Sequence, residues 1–239
     1  MAKKINIKGV IVSDSDYWVY EYLDIAAVSP KMIHRQLEDA NGKPVEVEIN
    51  SGGGDVFAGS EIYSALKAYS MNGGYVTVNI VGLAASAASV VAMAGDQVLM
   101  SPTSQLMIHN AWIGGASGDH RDMDHMSGVL KNVNQTLANA YRIKTGKTEA
   151  ELLTMLDDET WLTPEQALLH RFIDGILFED NTMQRSNLKT FPSAKSTTTG
   201  KAAATSSNKI AAQSQLSKLQ QYQMEYEKLE LLKLKGMVL

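Results

Sequence analysis

The chain contains no cysteine in 239 residues. Disulfides, a thiol nucleophile and thiolate metal sites are therefore excluded. Histidines number five, and none has HExxH or a similar metal-binding spacing. No strong excess of either charge is present. A formal net charge of −4 and a pI near 5.7 argue against a general nucleic-acid binder. The start of the chain, Met1-Ala2-Lys3-Lys4-Ile5-Asn6-Ile7-Lys8, has no apolar core of a signal peptide. Its most apolar stretch, 81–94, is too short and too rich in Ala and Ser to span a membrane. A soluble, cytoplasmic protein with no membrane association is expected. No GxxxxGK[ST] run occurs, so any ATP-driven step belongs to another chain. Neither a metal nor a cofactor is called for.

What the chain does have is a regular alternation of strand and helix signals. Apolar residues alternate over 5–12, 45–50 and 75–81. Ser29-Pro30 starts a helix that Asn41-Gly42 ends, with Met32, Ile33, Leu37 and Ala40 on one face. A second helix is expected over 56–70, and a small-residue helix from Ser86 to Ala94. Strands over 97–100 and 105–109 precede a long polar helix over 119–145. His120 and His125 of that helix read as solvated. A helix over 148–156, a Thr163-Pro164-Glu165-Gln166 capping box and a last strand over 173–178 close the pattern. This is an α/β layout with a mostly parallel sheet flanked by helices.

Three strand ends carry candidate chemistry. In Gly82-Leu83-Ala84-Ala85-Ser86-Ala87-Ala88-Ser89, a strand hands over to a helix. A serine at that turn sits near the positive end of the helix dipole, where free N–H groups can hold an oxyanion. The small neighbours leave room for a substrate backbone. Taken alone, the run fits a packed core helix equally well, with Ser86 and Ser89 bonded to backbone carbonyls. The second strand end is Ile49-Asn50-Ser51-Gly52-Gly53-Gly54-Asp55, whose glycines allow φ > 0 and close backbone approach. The third is Gln105-Leu106-Met107-Ile108-His109, an apolar strand ending in an imidazole. A nucleophile, an oxyanion turn and a base at three strand ends form the set that acyl transfer needs.

With these residues in place, the chain resembles the proteolytic subunit of the Clp protease (ClpP) family over roughly residues 5–180. The matching pieces are Asn50-Ser51-Gly52-Gly53-Gly54, Gly82-Leu83-Ala84-Ala85-Ser86, Ser104-Gln105-Leu106-Met107-Ile108-His109, and Trp161-Leu162-Thr163 before a helix with Ala167. The nearest flavour is the phage and prophage group of head-maturation (prohead) proteases. The resemblance implies a ClpP/crotonase-like fold of repeated β-β-α units and a serine endopeptidase acting on polypeptides through a Ser-His-acid triad. It assigns Ser86 as nucleophile, His109 as general base, and the N–H groups of Gly54 and Ala87 as the oxyanion hole. Gly53 shapes the turn, and Gly114 and Gly115 belong to a glycine-rich strand that pairs with substrate. The third triad member falls on Glu159, where the family has aspartate, with Asp158 as the alternative. Gly52 stands where the family usually has proline. The resemblance also implies homo-oligomeric stacked rings, commonly heptameric, joined through the 119–146 helix. An AAA+ unfoldase or a capsid or scaffold protein is the implied partner.

The pattern divides the chain into a peptidase domain (1–180), a linker (181–208) and a helical tail (209–239). Residues 193–208 are only Ser, Thr, Ala, Lys, Gly and Asn. Leu216, Leu219, Tyr222, Tyr226, Leu229 and Leu232 make an apolar stripe suited to a helical partner. Two further classes remain open at this point. One is a crotonase-like acyl-CoA enzyme, which shares a Gly-rich oxyanion hole. The other is a catalytically silent assembly or scaffold protein.

Overall fold

The strand and helix pattern places a sheet at the centre of the computed structural model, which describes residues 2–179. The linker and helical tail expected over 181–239 lie outside the described residues. Three long strands form the middle of the sheet: β1 (Lys3–Ile11), β3 (Val45–Gly54) and β4 (Val76–Ala85). The short strand β2 (Ala27–Val28) flanks β1, and β5 (Gln97–Met100) and β8 (Gly175–Ile176) continue beyond β4. All these pairs are parallel. Alternation sets the inner face: Ile5, Ile7, Val45, Val47, Ile49, Val76, Val78 and Ile80 are buried. Lys4, Lys8 and Glu48 lie on the other face, where Glu48 accepts from both lysines.

Helices α2 (Pro30–Ala40), α3 (Val56–Met71), α4 (Ala87–Ala92), α5 (His120–Thr145), α6 (Glu149–Asp157) and α7 (Pro164–Leu169) follow the strands. Their ends obey local chemistry. Asn41 closes α2 in the left-handed conformation, and Gly146 closes α5 likewise. Asp119–Asp122, Thr148–Glu151 and Thr163–Gln166 form reciprocal capping boxes. Ser29 holds the N-cap place of α2 but makes no side-chain cap; it is buried instead.

The structure departs from the sequence expectation in several places. A helix α1 (Tyr17–Tyr22) and strand β2 occupy a stretch with no strong periodicity. Two strands run further than expected, β3 through its glycines and β4 through Ala85. The last strand shrinks to Gly175–Ile176. Gly114–Gly118 is not a strand: it is exposed, irregular chain leading into α5. Glycines there carry no side chain to pack, and among the described residues no strand pairs with them. Among the described residues, no helix is long and apolar enough to cross a membrane.

Candidate active site

The site arises because β4 changes partners partway along its length. Its first half pairs with β5, up to Ile80 with Met100. Its second half pairs with β6 (Gln105–Ile108), with Leu83, Ala84 and Ala85 opposite Gln105, Leu106 and Met107. Strand β6 then pairs antiparallel with β7 (Thr160–Leu162), Ile108 opposite Thr160. On the far side of β4, Ser51 of β3 lies opposite Ala84. Ser86 follows the end of β4, His109 follows the end of β6 and Glu159 precedes β7, while Gly53, near the end of β3, packs against the serine. The group comes from four segments widely separated in the chain.

Ser86 is the turn between β4 and α4. Its backbone stands at φ 54 and ψ −128, a conformation few side chains accept. A strained strand-to-helix turn of this kind lifts the hydroxyl out of the packed layer. The Ser86 N–H donates to the carbonyl of Met107 at 3.0 Å, tying it to β6. Ser86 Oγ lies 2.8 Å from His109 Nε2. When the hydroxyl donates across this contact, Nε2 is the acceptor and the ring proton sits on Nδ1. Burial pushes the His109 pKa below its ordinary 6.5, and the Glu159 charge acts in the opposite direction. The lowered pKa favours the neutral ring, the form a general base uses.

The glycine turn packs directly on the serine. A Cβ on Gly53 would sit 2.7 Å from Ser86 Cβ and 2.8 Å from the Ala85 carbonyl. A Cβ on Gly54 would sit 2.0 Å from the Ile11 carbonyl, with φ at +143. Only glycine fits either place. The Gly53 N–H is engaged by Ser51 Oγ at 3.0 Å. The Ala87 N–H, at the first position of α4, has no acceptor within its own helix. Just beyond the turn, Val56 and Phe57 of α3 and Val129, Val133 and Leu137 of α5 line a cavity of about 700 Å³. His125 reaches its edge.

The acids fall as follows. Glu159 stands opposite the imidazole in the β6–β7 register, at φ 46, and its carboxylate accepts from the Trp161 indole N–H at 3.3 Å. Among the described residues, no hydrogen bond joins Glu159 or Asp158 to the ring; the Glu159 contact is one of charge. Asp157 accepts from Asn110 Nδ2 at 2.7 Å, beside the histidine. Gly114 and Gly115 lie in the exposed loop, which also carries Trp112 and Ile113. Sequence reading passes over two residues near the site, Asn134 and Tyr141. Both read as ordinary positions of a long helix, and nothing in the local sequence marks them.

Fold and site place a hydroxyl–imidazole pair at the ends of two parallel strands, the arrangement a hydrolase of the serine type uses. A family model described as Clp protease matches residues 24–180. The chain belongs to the Clp protease family, a family of serine peptidases. The ATP-dependent Clp protease proteolytic subunit 1 of Chlamydia abortus is 34% identical over 146 residues, covering 59% of this chain and 74% of that one. The subunit of the same name from Chlamydia pneumoniae is 33% identical over 157 residues, 64% of this chain and 80% of the relative. That of Protochlamydia amoebophila is 28% identical over 177 residues, 72% and 84% of the two chains. These matches set aside the acyl-CoA alternative.

Proposed function

We propose that this peptidase cleaves polypeptides through Ser86 and His109, with Glu159 as the supporting acid. The observation that carries the reading is the 2.8 Å contact between Ser86 Oγ and His109 Nε2. His109 takes the hydroxyl proton as Oγ attacks the scissile carbonyl. The N–H groups of Gly54 and Ala87 receive the developing oxyanion. The imidazolium returns its proton to the leaving amine, and the acyl group stays on Ser86. Water then repeats the sequence and frees the enzyme. Glu159 favours the charged ring through space and so lowers the cost of the imidazolium. A fluorophosphonate probe tests the assignment: it labels Ser86 alone, and mapping of the label to Ser89 overturns it.

The same reading extends to assembly and setting. Subunits form closed homo-oligomeric rings that seclude the exposed cleft. An ATP-driven unfoldase is a separate chain, in keeping with the ATP dependence in the relatives' names and the missing phosphate loop here. The stripe over 216–232 serves as a tether to a helical protein substrate, such as a capsid or scaffold precursor in phage head maturation. Deletion of 193–239 therefore leaves small-peptide hydrolysis nearly unchanged and weakens cleavage of that protein substrate. Loss of small-peptide activity would assign the tail to the peptidase unit instead.

A further inference from the structure

Two buried polar side chains on one face of α5 reach toward the Ser86–His109 contact, Tyr141 through the Ser89 hydroxyl and Asn134 through the Ala111 main chain. The Tyr141 hydroxyl lies 2.8 Å from Ser89 Oγ. Ser89 Oγ donates to the Ser86 carbonyl at 2.6 Å. Ser89 has a single hydroxyl proton, and the carbonyl takes it, so Tyr141 supplies the proton of the second bond. Burial pushes the Tyr141 pKa far above its ordinary value, which keeps the phenol a donor throughout the working pH range. Seven residues earlier, Asn134 Oδ1 accepts from the Ala111 N–H at 2.8 Å, two residues past His109. Positions seven apart lie on the same side of a helix.

These bonds meet the chain where it needs holding. The Ser86 carbonyl belongs to the residue at φ 54. It also accepts the Ser89 N–H at 2.9 Å, so Ser89 grips it through both main chain and side chain. Phe172 meets the Tyr141 ring edge-on at 5.8 Å between centroids. Phenylalanine and alanine would fill these two places without the desolvation cost of two hydroxyls. The hydroxyls add direction rather than volume.

We propose that Tyr141, Ser89 and Asn134 are positioning residues, through which α5 sets the aim of Ser86 Oγ and His109 Nε2 by holding the Ser86 carbonyl and the main chain two residues past His109. The proposal rests on Ser86 and His109 being the nucleophile and base. The test compares full-length Tyr141→Phe, Ser89→Ala, their double variant and Asn134→Ala on a fluorogenic peptide. Rates are normalised to sites titrated with a fluorophosphonate, so unfolded chains do not count. Tyr141→Phe and Ser89→Ala each lower kcat about tenfold, the worth of one neutral hydrogen bond, with KM unchanged. The double variant falls no further than Ser89→Ala, because both act through one relay. Asn134→Ala lowers kcat similarly, and a further variant combining it with Tyr141→Phe shows the product of the two losses, because it acts on the other arm. A merely structural role lowers the melting temperature and leaves kcat per titrated site at the wild-type value. That result in Ser89→Ala overturns the proposal, even where Tyr141→Phe does not fold. Multiplicative losses from Tyr141→Phe and Ser89→Ala overturn the relay. Ser86→Ala separates the two levels. If it still hydrolyses peptide, the active-site reading has failed; if it is dead while the other variants keep full kcat, only the positioning role has failed.

Discussion

The two halves of β4 are built from different residues and do different things. Val76, Val78 and Ile80 are fully buried and point into the core from a regular ladder between β3 and β5. Past Val81, the strand turns to Gly82, small alanines and Ser86, and its partner changes to β6. Gly82 is tight against Asn50, whose Oδ1 accepts the Leu83 N–H at 3.1 Å. The first half stabilises by burying area, and its residues can trade volume at a cost in stability. The second half buries little and leaves almost no room for change. Stability and the proposed chemistry thus fall on successive halves of one strand, and substitutions should separate them.

The largest separation comes from Ser86→Ala. Peptide hydrolysis should fall on the order of a million-fold in kcat, leaving only binding and oxyanion effects. Melting should move little, because the hydroxyl contributes a single part-buried contact. Residual activity within a hundredfold of wild type would end the assignment. Ile80→Ala should do the reverse. The side chain is completely buried, so its removal should cost about 2–5 kcal/mol of stability. The turnover of each titrated site should be unchanged; a drop there would show that the halves of β4 are coupled. Gly53→Ala returns the effect to the site. The new Cβ would lie 2.7 Å from Ser86 Cβ on a backbone at φ +97, so the turn or the serine must shift. A displacement of about 1 Å costs roughly a hundredfold in rate. Wild-type kcat in this variant would show that the turn does not shape the site.

The same division decides what the sequence makes legible. The regular half of each strand is readable because burial imposes period two, as at Val45, Val47 and Ile49. The helix ends at Asn41, Thr148 and Thr163 are readable because capping is local chemistry. Ser86 and His109 stand out as strand-end residues, and the structure brings them into contact. The switch of β4 from β5 to β6 is not readable, because register between distant strands leaves no local trace. Strand β7 is only three residues long, yet it is what sets Glu159 opposite the imidazole. Helix α1 was hidden by its composition: Tyr17, Trp18, Val19 and Tyr20 favour strands, and Asp16 makes no side-chain cap. The glycines over 114–118 suggested a strand only through family resemblance; their own chemistry favours the exposed loop that is found.

The smallest effect concerns the acid, and it is read as a pH shift. In the proposed mechanism His109 acts as the neutral imidazole, so kcat/KM should rise with pH through its pKa, which burial places below 6.5. The Glu159 charge raises that pKa. Glu159→Gln removes the charge, so the pKa should fall further and the acid limb should move to lower pH. Asp158→Asn should leave the limb in place. The rate loss from Glu159→Gln should exceed that from Asp158→Asn, yet stay well below the roughly ten-thousandfold seen when an acid hydrogen-bonded to the imidazole is lost. The reason is geometric: the Glu159 carboxylate accepts from the Trp161 indole rather than from the ring. Measuring kcat/KM against pH for the three proteins decides the matter. A limb that moves to higher pH in Glu159→Gln would contradict the charge argument. A limb that moves only in Asp158→Asn would transfer the supporting role to Asp158.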